Sequence, residues 1–422
     1  MAHDGVVVGG GPAGLATALS LRRKGQLHRV SVLEKGPPPE ARDGGWTGAG
    51  LNLTSGIAAL YSLGFDMPAL GLGQPLSTVS AFPAGKNLSL YSADLSAAGA
   101  RSVLRGSLLE ALRSECASEG IDVLYNCKVD AIESNASESA VSLSCNKASQ
   151  KNQREHLSTQ LAVVAGGGKS ASLLDKPTPN PAGCRILIAL GESASGRLDG
   201  SDDDPASAQQ VFGDGVYALR VTAAGFPERE GVRDVLYLSL GGNRARDGSN
   251  ESWSREHGSE QEALRRHMLD LLSEQNFPDS HLQIVRHAVA LAEVGACITP
   301  AQQPNGGSWR SGKRCTLLGD AAHSMPPYLG QGANQALQDA LALGKCVSEA
   351  NMNDADSVAG VLDKYERVRA APSRIALEAS RVVGAVETCR WPLTVSRNLS
   401  MRIAGLLHLP QRILQSGAQV RV

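Results

Sequence analysis

Two short stretches of this chain carry residue types at spacings that could do chemistry. The first is Gly9, Gly10, Gly11, Pro12, Ala13 and Gly14, which satisfies GxGxxG directly after the apolar run 5–8. Glycine at the first position allows a tight turn, at the third it lets backbone approach a pyrophosphate, and at the last it lets a helix pack closely on the strand. The amides and dipole of the helix that follows would hold phosphate charge. Glu34 closes the next apolar run, 20 residues past Gly14, where its carboxylate can accept hydrogen bonds from both ribose hydroxyls. The pattern reads as a dinucleotide cradle. An acidic Glu34 disfavours a 2′-phosphate, but the motif by itself fits FAD and NAD equally. The second stretch is 319–334, GDAAHSMPPYLGQGAN, directly after the apolar run 315–318. A strand ending in Gly319 and Asp320 puts a carboxylate at the sheet edge where α/β proteins bind ligands. Pro326 and Pro327 fix an extended loop without amide donors. Gly330 and Gly332 then allow close backbone approach at the start of a new helix, whose dipole would favour negative charge.

The elements that must position these groups can be read from periodicity. Strands are expected at 5–8 and 30–33 around a helix from 12 to 24, the length of a βαβ crossover. A helix is expected over 53–63, capped by Thr54 or Ser55. Strands follow at 76–82 and 87–91 around a turn at 83–86, then a helix over 104–117 and strands at 121–125, 128–133, 140–144 and 161–164. The polar stretch 146–156 reads as a solvated loop. From 184 to 300 the spacing suggests a second sheet, with strands at 185–190, 216–221 and 235–240, a polar acidic loop over 193–207 and an amphipathic helix over 260–274. Rossmann texture returns with a strand at 315–318 and a helix over 331–349. The remainder through 415 reads as helical, broken at Pro372, Pro392 and Pro410. A nucleotide-binding lobe built from 1–75, 100–182 and 308–380 is thus interleaved with a second lobe, 76–99 and 183–307, and followed by C-terminal helices over 381–422. No internal repeat is visible.

The 319–334 stretch resembles the GDAAH…PP…GQGxN signature of the group A flavoprotein monooxygenases, the family of p-hydroxybenzoate hydroxylase, salicylate hydroxylase, kynurenine monooxygenase and zeaxanthin epoxidase. The resemblance extends to Arg105, Leu108 and Leu112, similar to the family's R..L...L helix whose arginine contacts the cofactor. It extends also to the 48–53 stretch, GAGLNL, similar to a glycine-rich turn beside the flavin. It implies an α/β fold in which a Rossmann-type FAD-binding lobe interleaves with a mixed-sheet substrate lobe, as in p-hydroxybenzoate hydroxylase. It implies bound FAD, with Gly9, Gly11, Pro12, Ala13, Gly14, Glu34 and Arg105 at its dinucleotide end and Asp320 on the ribityl chain. Pro326 and Pro327 would lie along the ring and substrate, and backbone of Gly330, Gly332, Ala333 and Asn334 would meet the pyrimidine edge. NAD(P)H would be the transient reductant and dioxygen the co-substrate, and a flavin hydroperoxide would hydroxylate a small aromatic substrate. Epoxidation of an isoprenoid or polyene is the nearest alternative, and a non-catalytic FAD-binding protein the alternative from another class. A flavin halogenase fits less well, because Trp46, Trp253, Trp309 and Trp391 stand apart. His323 reads as support for the loop rather than a general base. Tyr217, Arg220 and Tyr237 read as structural rather than substrate-binding.

The chain departs from the family at 165–170, AGGGKS, where Gly167 stands at the position of an aspartate that helps hold the pyrophosphate and the NAD(P)H approach. Substitution by Lys169 or a water, altered reduction by pyridine nucleotide, and loss of monooxygenase activity all fit this change. Retained activity is the favoured reading, and restoring a carboxylate at 167 would be expected to speed flavin reduction.

Composition sets outer bounds. The chain has 422 residues, 42% hydrophobic and 20% charged, with a net charge of −1, so nothing in the overall balance suggests nucleic acid or an anionic membrane. The eight cysteines form no CxxC pair, which argues against zinc or a disulfide scaffold and for reduced thiols in an intracellular, cytoplasmic protein. The first strand begins so early that no leader is expected, and no apolar run is long enough to span a bilayer. The apolar residues of 393–414 are expected to pack on the cofactor lobe, with membrane contact by this segment the sharper reading.

Overall fold

The computed structural model describes residues 3–39, 50–86, 88–134, 139–147, 154–192, 207–225, 232–241, 258–298, 308–410 and 412. Its first layer is a six-stranded sheet ordered Arg310–Ser311, Cys315–Leu317, Ala162–Val164, Gly5–Val8, Val30–Leu33 and Asp122–Leu124. All neighbours are parallel except the first pair. The four central strands are short apolar runs buried along their whole length, as expected of parallel strands covered on both faces. Gly5–Val8 has its sequence successor on one side and Ala162–Val164 on the other. The order therefore reverses at its carboxyl end, where such sheets open a ligand crevice.

Helices Pro12–Arg23 and Gln331–Val347 lie against each other over this sheet. Their contact is set by Gly344, where a Cβ would lie 2.2 Å from Ser20 Oγ. Helix Ser55–Ser62 packs on Gln331–Val347 as well. Its N-cap residue, Thr54, makes no side-chain cap bond, contrary to the expected Ser/Thr cap.

A ten-stranded sheet forms the second lobe. Its main path runs Ala288–Ile298, Asn180–Glu192, Val232–Gly241, Val216–Ala224, Ser207–Phe212, Thr78–Pro83 and Tyr91–Asp94. One face buries Leu187, Ala189, Ala218, Leu236 and Leu238 under helices Gly258–Glu274 and Asp279–Arg286. The other face carries Cys184, Ile186, Ile188, Val221, Ala223 and Val235. Strands Gly50–Leu53 and Arg101–Leu104 pair antiparallel and join this sheet through the Val103–Ala224 pair, so the two lobes share backbone there.

Three expectations change. The 146–156 stretch is not wholly loop, because Asn146 pairs with Arg154, Cys145 with Glu155 and Ser144 with His156 in an antiparallel sheet of Cys127–Ser134, Val141–Lys147 and Arg154–Thr159. Only one face of this sheet is covered, through Val141, Leu143, Cys145 and Leu157, and its polar outer face disguised the strands. Pro372 does not end a helix but lies inside Ala355–Glu387. The amide bond it forgoes would reach the carbonyl of Val368, a residue on the solvent side. The strand expected at 87–91 instead occupies Tyr91–Asp94, opposite Thr78–Ala81. Most of the acidic loop expected at 193–207 lies outside the described residues.

Candidate functional site

The dinucleotide end is built where the first sheet reverses order. Gly9 has φ +114°, and a Cβ on it would lie 2.6 Å from Gly166 Cα; a Cβ on Gly14 would lie 1.8 Å from Gly9 O. These two glycines bring turn, strand and helix into backbone contact. Gly11 differs, because a Cβ there would meet only Arg105 Nη2, at 4.0 Å. Gly11 is also the N-cap of helix Pro12–Arg23 and makes no side-chain cap bond, so the helix start faces open space bordered by a guanidinium. Arg105 itself opens helix Arg105–Ser118 directly off strand Arg101–Leu104. Glu34 is fixed beside the turn, its Oε2 accepting from the Gly10 amide at 2.6 Å and its Oε1 from the Gly36 amide at 2.8 Å.

The second motif meets the first one side by side. A Cβ on Gly319 would approach Ala13 Cβ to 3.4 Å. Asp320 follows, opening the short helix Asp320–His323. Its side chain is solvent-accessible, yet burial raises its pKa above the ordinary value, with His323 and Arg105 opposing the shift. Both facts hold for a carboxyl on the wall of a deep recess, reached by water but enclosed by protein. Past the loop, a Cβ on Gly330 would meet nothing within 4 Å and one on Gly332 only Asp320 Oδ1, at 3.9 Å. Gly11, Arg105, Asp320, Gly330 and Gly332 therefore border open space, with a cationic end and an uncapped helix start at each of its two motifs. That cradle fits FAD: donors and positive charge for a pyrophosphate, carboxylates for sugar hydroxyls, and bare backbone for a flat ring.

The loop and helix start are held by buried polar groups that periodicity did not single out. Asn334 is fully buried. Its Oδ1 accepts from the amides of Thr54 at 2.8 Å and Gly56 at 2.9 Å, and its Nδ2 donates to Asn52 O and Gly330 O. Ala333, beside it, packs partly buried against the core. Asp339 accepts from His323 Nε2 at 2.5 Å and from Arg369 Nε at 2.7 Å, while Arg369 also donates to Gln335 Oε1 and O. Burial pushes the Asp339 pKa up, but His323 and Arg369 outweigh it and hold it below the ordinary value. His323 packs on Trp309 and is enclosed, which supports its reading as a loop anchor. Ser380 Oγ donates to Pro326 O at 2.5 Å; Pro326 is buried and Pro327 is exposed, so only Pro327 is open to a ligand, contrary to the expectation for both prolines. A signal for this network was present: Asp339 and Arg369 are charges on otherwise apolar helix faces.

At the family's missing aspartate, Gly167 has φ +85° and ψ 174°, a conformation essentially reserved for glycine. Its carbonyl accepts from Ser170 Oγ at 2.6 Å and from the Ser170 amide at 2.9 Å. A Cβ on the next residue, Gly168, would lie 2.6 Å from Pro179 Cγ and 3.5 Å from Asp320 O. The turn is thus a defined structure seated against the 319–323 segment, and Lys169 is exposed on it.

The ten-stranded sheet meets the two motif regions at two points. Tyr237 donates to Gly50 O at 2.6 Å, which places the described end of the expected 48–53 turn against this sheet; Gly48 and Ala49 lie outside the described residues. Tyr328, next to Pro327, packs with Cys184 and Leu219. Tyr217 accepts from Gln210 Nε2 at 2.9 Å, and Tyr91 donates to Gln210 Oε1. Arg220 lies on the opposite face with Asp234, away from the recess. Among the described residues no group of three or more His, Cys, Asp or Glu could hold a metal ion.

Comparison with known proteins matches these two regions. An FAD binding domain model matches residues 282–380, and an NAD(P)-binding Rossmann-like domain model matches 7–47. The chain is similar to 3-amino-4-hydroxybenzoate 2-monooxygenase PtmB3 of Streptomyces platensis, 40% identical over 87 residues, 18% of this chain and 21% of that protein. It is also similar to the FAD-dependent monooxygenase nanF of Aspergillus nanangensis, 27% identical over 88% of this chain and 78% of that protein. Among solved structures, Klebsiella pneumoniae HpxO complexed with FAD and uric acid aligns with a TM-score of 0.76 at 17% identity, over 98% of this chain and 97% of that one.

Proposed function

We propose that this chain, which belongs with the group A FAD-dependent monooxygenases in fold and cofactor signature, uses NAD(P)H and dioxygen to hydroxylate a small aromatic substrate. One observation carries the reading: the two cofactor motifs, more than 300 residues apart in sequence, meet at Gly319 and Ala13, with open space beside them at Gly11, Gly330 and Gly332. The motif regions abut the apolar face of a second sheet through Tyr328 and Tyr237.

Bound FAD would supply the redox chemistry, accepting hydride from NAD(P)H and activating dioxygen. The chain's own residues bind, orient and exclude water. The start of helix Pro12–Arg23 and Arg105 would hold the pyrophosphate, Glu34 the ribose, and Asp320 the ribityl chain. The helix start at Gly330, Gly332 and Ala333 would hold the ring and favour negative charge on it, with the side chain of Asn334 bracing that start from behind. Pro327 would form a rigid wall without an amide donor beside ring and substrate, with the buried Pro326 bracing it rather than lying along the ring itself. Substrate would lie against the mostly apolar surface around Tyr328 and Leu219, with few polar groups, as small-molecule sites generally have.

The remodelled turn at Gly167 favours a second reading, an FAD-binding protein without turnover. Purified protein should be yellow and release FAD on denaturation; a colourless protein that takes up no FAD would overturn both readings. Stopped-flow mixing of the FAD-loaded protein with NADH and NADPH, with a panel of phenols, anthranilates and polyenes, separates them. Flavin bleaching followed by oxygen-dependent product supports the monooxygenase. No bleaching with either nucleotide supports the non-catalytic binder.

A further inference from the structure

The balanced charge of the whole chain hides one strongly biased segment. From Thr388 to Val422 there is no Asp or Glu, but there are five arginines, Arg390, Arg397, Arg402, Arg412 and Arg421. Most of the described part of this segment is helix Leu393–Leu406. It does not pack on the cofactor lobe as expected. Its inner face lies on the edge of the substrate-side sheet, where a Cβ on Gly405 would come within 2.6 Å of Leu90 O. Arg397 pins it there from a buried position, donating to Gly213 O at 3.0 Å and Glu387 O at 3.1 Å, with its guanidinium 5.4 Å from the Phe212 ring centroid. Met401 packs against the cluster of Ala81, Leu90, Phe212 and Tyr217.

With that face fixed inward, the opposite face is committed to solvent, and it is apolar. Val395, Leu399, Ile403 and Leu406 are 65%, 60%, 50% and 77% exposed, at spacings that align them in one stripe. Trp391, Leu393, Leu407 and Leu409 extend it at the two ends and are exposed as well. Arg390, Arg402 and Arg412 are exposed along the same segment. A continuous apolar stripe on a folded chain marks an interaction surface.

The charges select the occupant. Two-fold pairing with a second copy would set these arginines against their own counterparts with no carboxylate in the segment to offset them. An anionic lipid surface satisfies both features at once. The stripe can enter the headgroup–acyl boundary, the arginines can reach lipid phosphates, and an exposed tryptophan suits the interface. Among the described residues no helix is long and apolar enough to cross a membrane, so the helix would lie in the interfacial plane.

We propose that helix Leu393–Leu406, with Trp391 and the arginines beside it, docks the protein on anionic membrane surfaces. The docking face is separate from the recess and does not depend on the reaction carried out there. The test is cosedimentation of the full-length, FAD-loaded protein with vesicles of phosphatidylcholine alone or mixed with phosphatidylglycerol. Binding to the anionic vesicles that weakens with salt is expected. Leu399→Ser with Ile403→Ser should weaken it about tenfold or more by removing buried apolar area, and Arg402→Glu should weaken it about tenfold. These side chains are exposed, so melting temperatures should match the parent. Trp391 fluorescence should shift to the blue on anionic vesicles, a change lost in Trp391→Phe. Protein that stays in the supernatant with both vesicle types, or binds both equally and without salt dependence, overturns the proposal. So does a lipid-free dimer dispersed by the Leu399→Ser, Ile403→Ser pair, which would assign the stripe to a second copy.

Discussion

Asn334 Oδ1 sits 2.9 Å from the amide of Gly56, 278 residues earlier in the chain, and so caps helix Ser55–Ser62 from the start of helix Gln331–Val347. The same side chain holds Gly330 O through its Nδ2. One residue therefore fixes both a helix end and the backbone proposed to meet the flavin ring. Asn334→Ala should cost ~1–3 kcal/mol by leaving buried amides unpaired, and FAD should bind more weakly. Asn334→Asp keeps the acceptor but turns a second, charged oxygen toward the carbonyls of Asn52 and Gly330 in a fully buried place, so its loss should be at least as large. Thermal melts and a fluorescence titration of FAD into apoprotein check both. Equal affinity for FAD in all three proteins would remove Asn334 from the site.

The Asp339 carboxylate joins His323 to Arg369 in a fully enclosed network. Asp339→Asn leaves Arg369 buried without its charge partner and should cost about 3–5 kcal/mol at neutral pH. The folded-state pKa of Asp339 is lowered, so its contribution is present above the ordinary value of 3.8 and is lost as pH falls through the folded value. The stability gap between Asp339→Asn and the parent should therefore narrow only in strong acid. A gap that does not change with pH down to the acid unfolding limit would contradict this linkage.

Restoring the family aspartate at 167 now carries a cost that the sequence alone did not reveal. A Cβ at Gly167 would meet nothing within 4 Å, so space is available, but the backbone lies where side chains strain. Gly167→Asp should lose ~1–3 kcal/mol of stability. Faster flavin reduction is expected only if the turn reshapes, and Gly167→Ala measures the backbone cost without the carboxylate. Stopped-flow reduction and thermal melts on the pair separate the two effects. An unstrained Gly167→Asp, as stable as the parent, would refute the turn described here.

Glu387 ends the long helix in a buried position, with Oε2 lacking a hydrogen-bond partner. Burial pushes its pKa well above the ordinary 4.5, opposed by Arg397. For a carboxyl raised in this way the folded state favours the proton. Its contribution is intact below the unfolded value and is lost as pH rises toward the folded one. Glu387→Gln should melt higher than the parent at neutral pH and converge with it in acid. Identical pH profiles for the two proteins would count against a protonated Glu387.

Much of the architecture was legible because its signals are local. Continuous apolar runs gave the parallel strands, the glycine spacing gave the cradle, and 315–334 carried strand, carboxylate, prolines and helix start within twenty residues. What escaped was long-range. No local rule says that the cap of helix Ser55–Ser62 lies at Asn334, that Asp339 pairs with both His323 and Arg369, or that Tyr91 and Tyr217 share Gln210. The course of the chain through Pro372 was missed because propensity charges proline for a bond whose acceptor, here, sits at the surface. The seat of the C-terminal helix was missed because Arg397, a charged residue, proved to be its buried anchor.

The meeting of Gly319 with Ala13 has a consequence for biogenesis. On the ribosome, the cradle emerges with the first strand and helix, but the neighbouring strand Ala162–Val164 arrives much later and Cys315–Leu317 later still. Until then the nascent N-terminal segment presents an unpaired, wholly apolar strand edge, the kind of surface that recruits chaperones or associates wrongly. Gly319 is made more than 300 residues after Ala13, so a bound cofactor would stabilise the joined motifs rather than seed the first strand and helix.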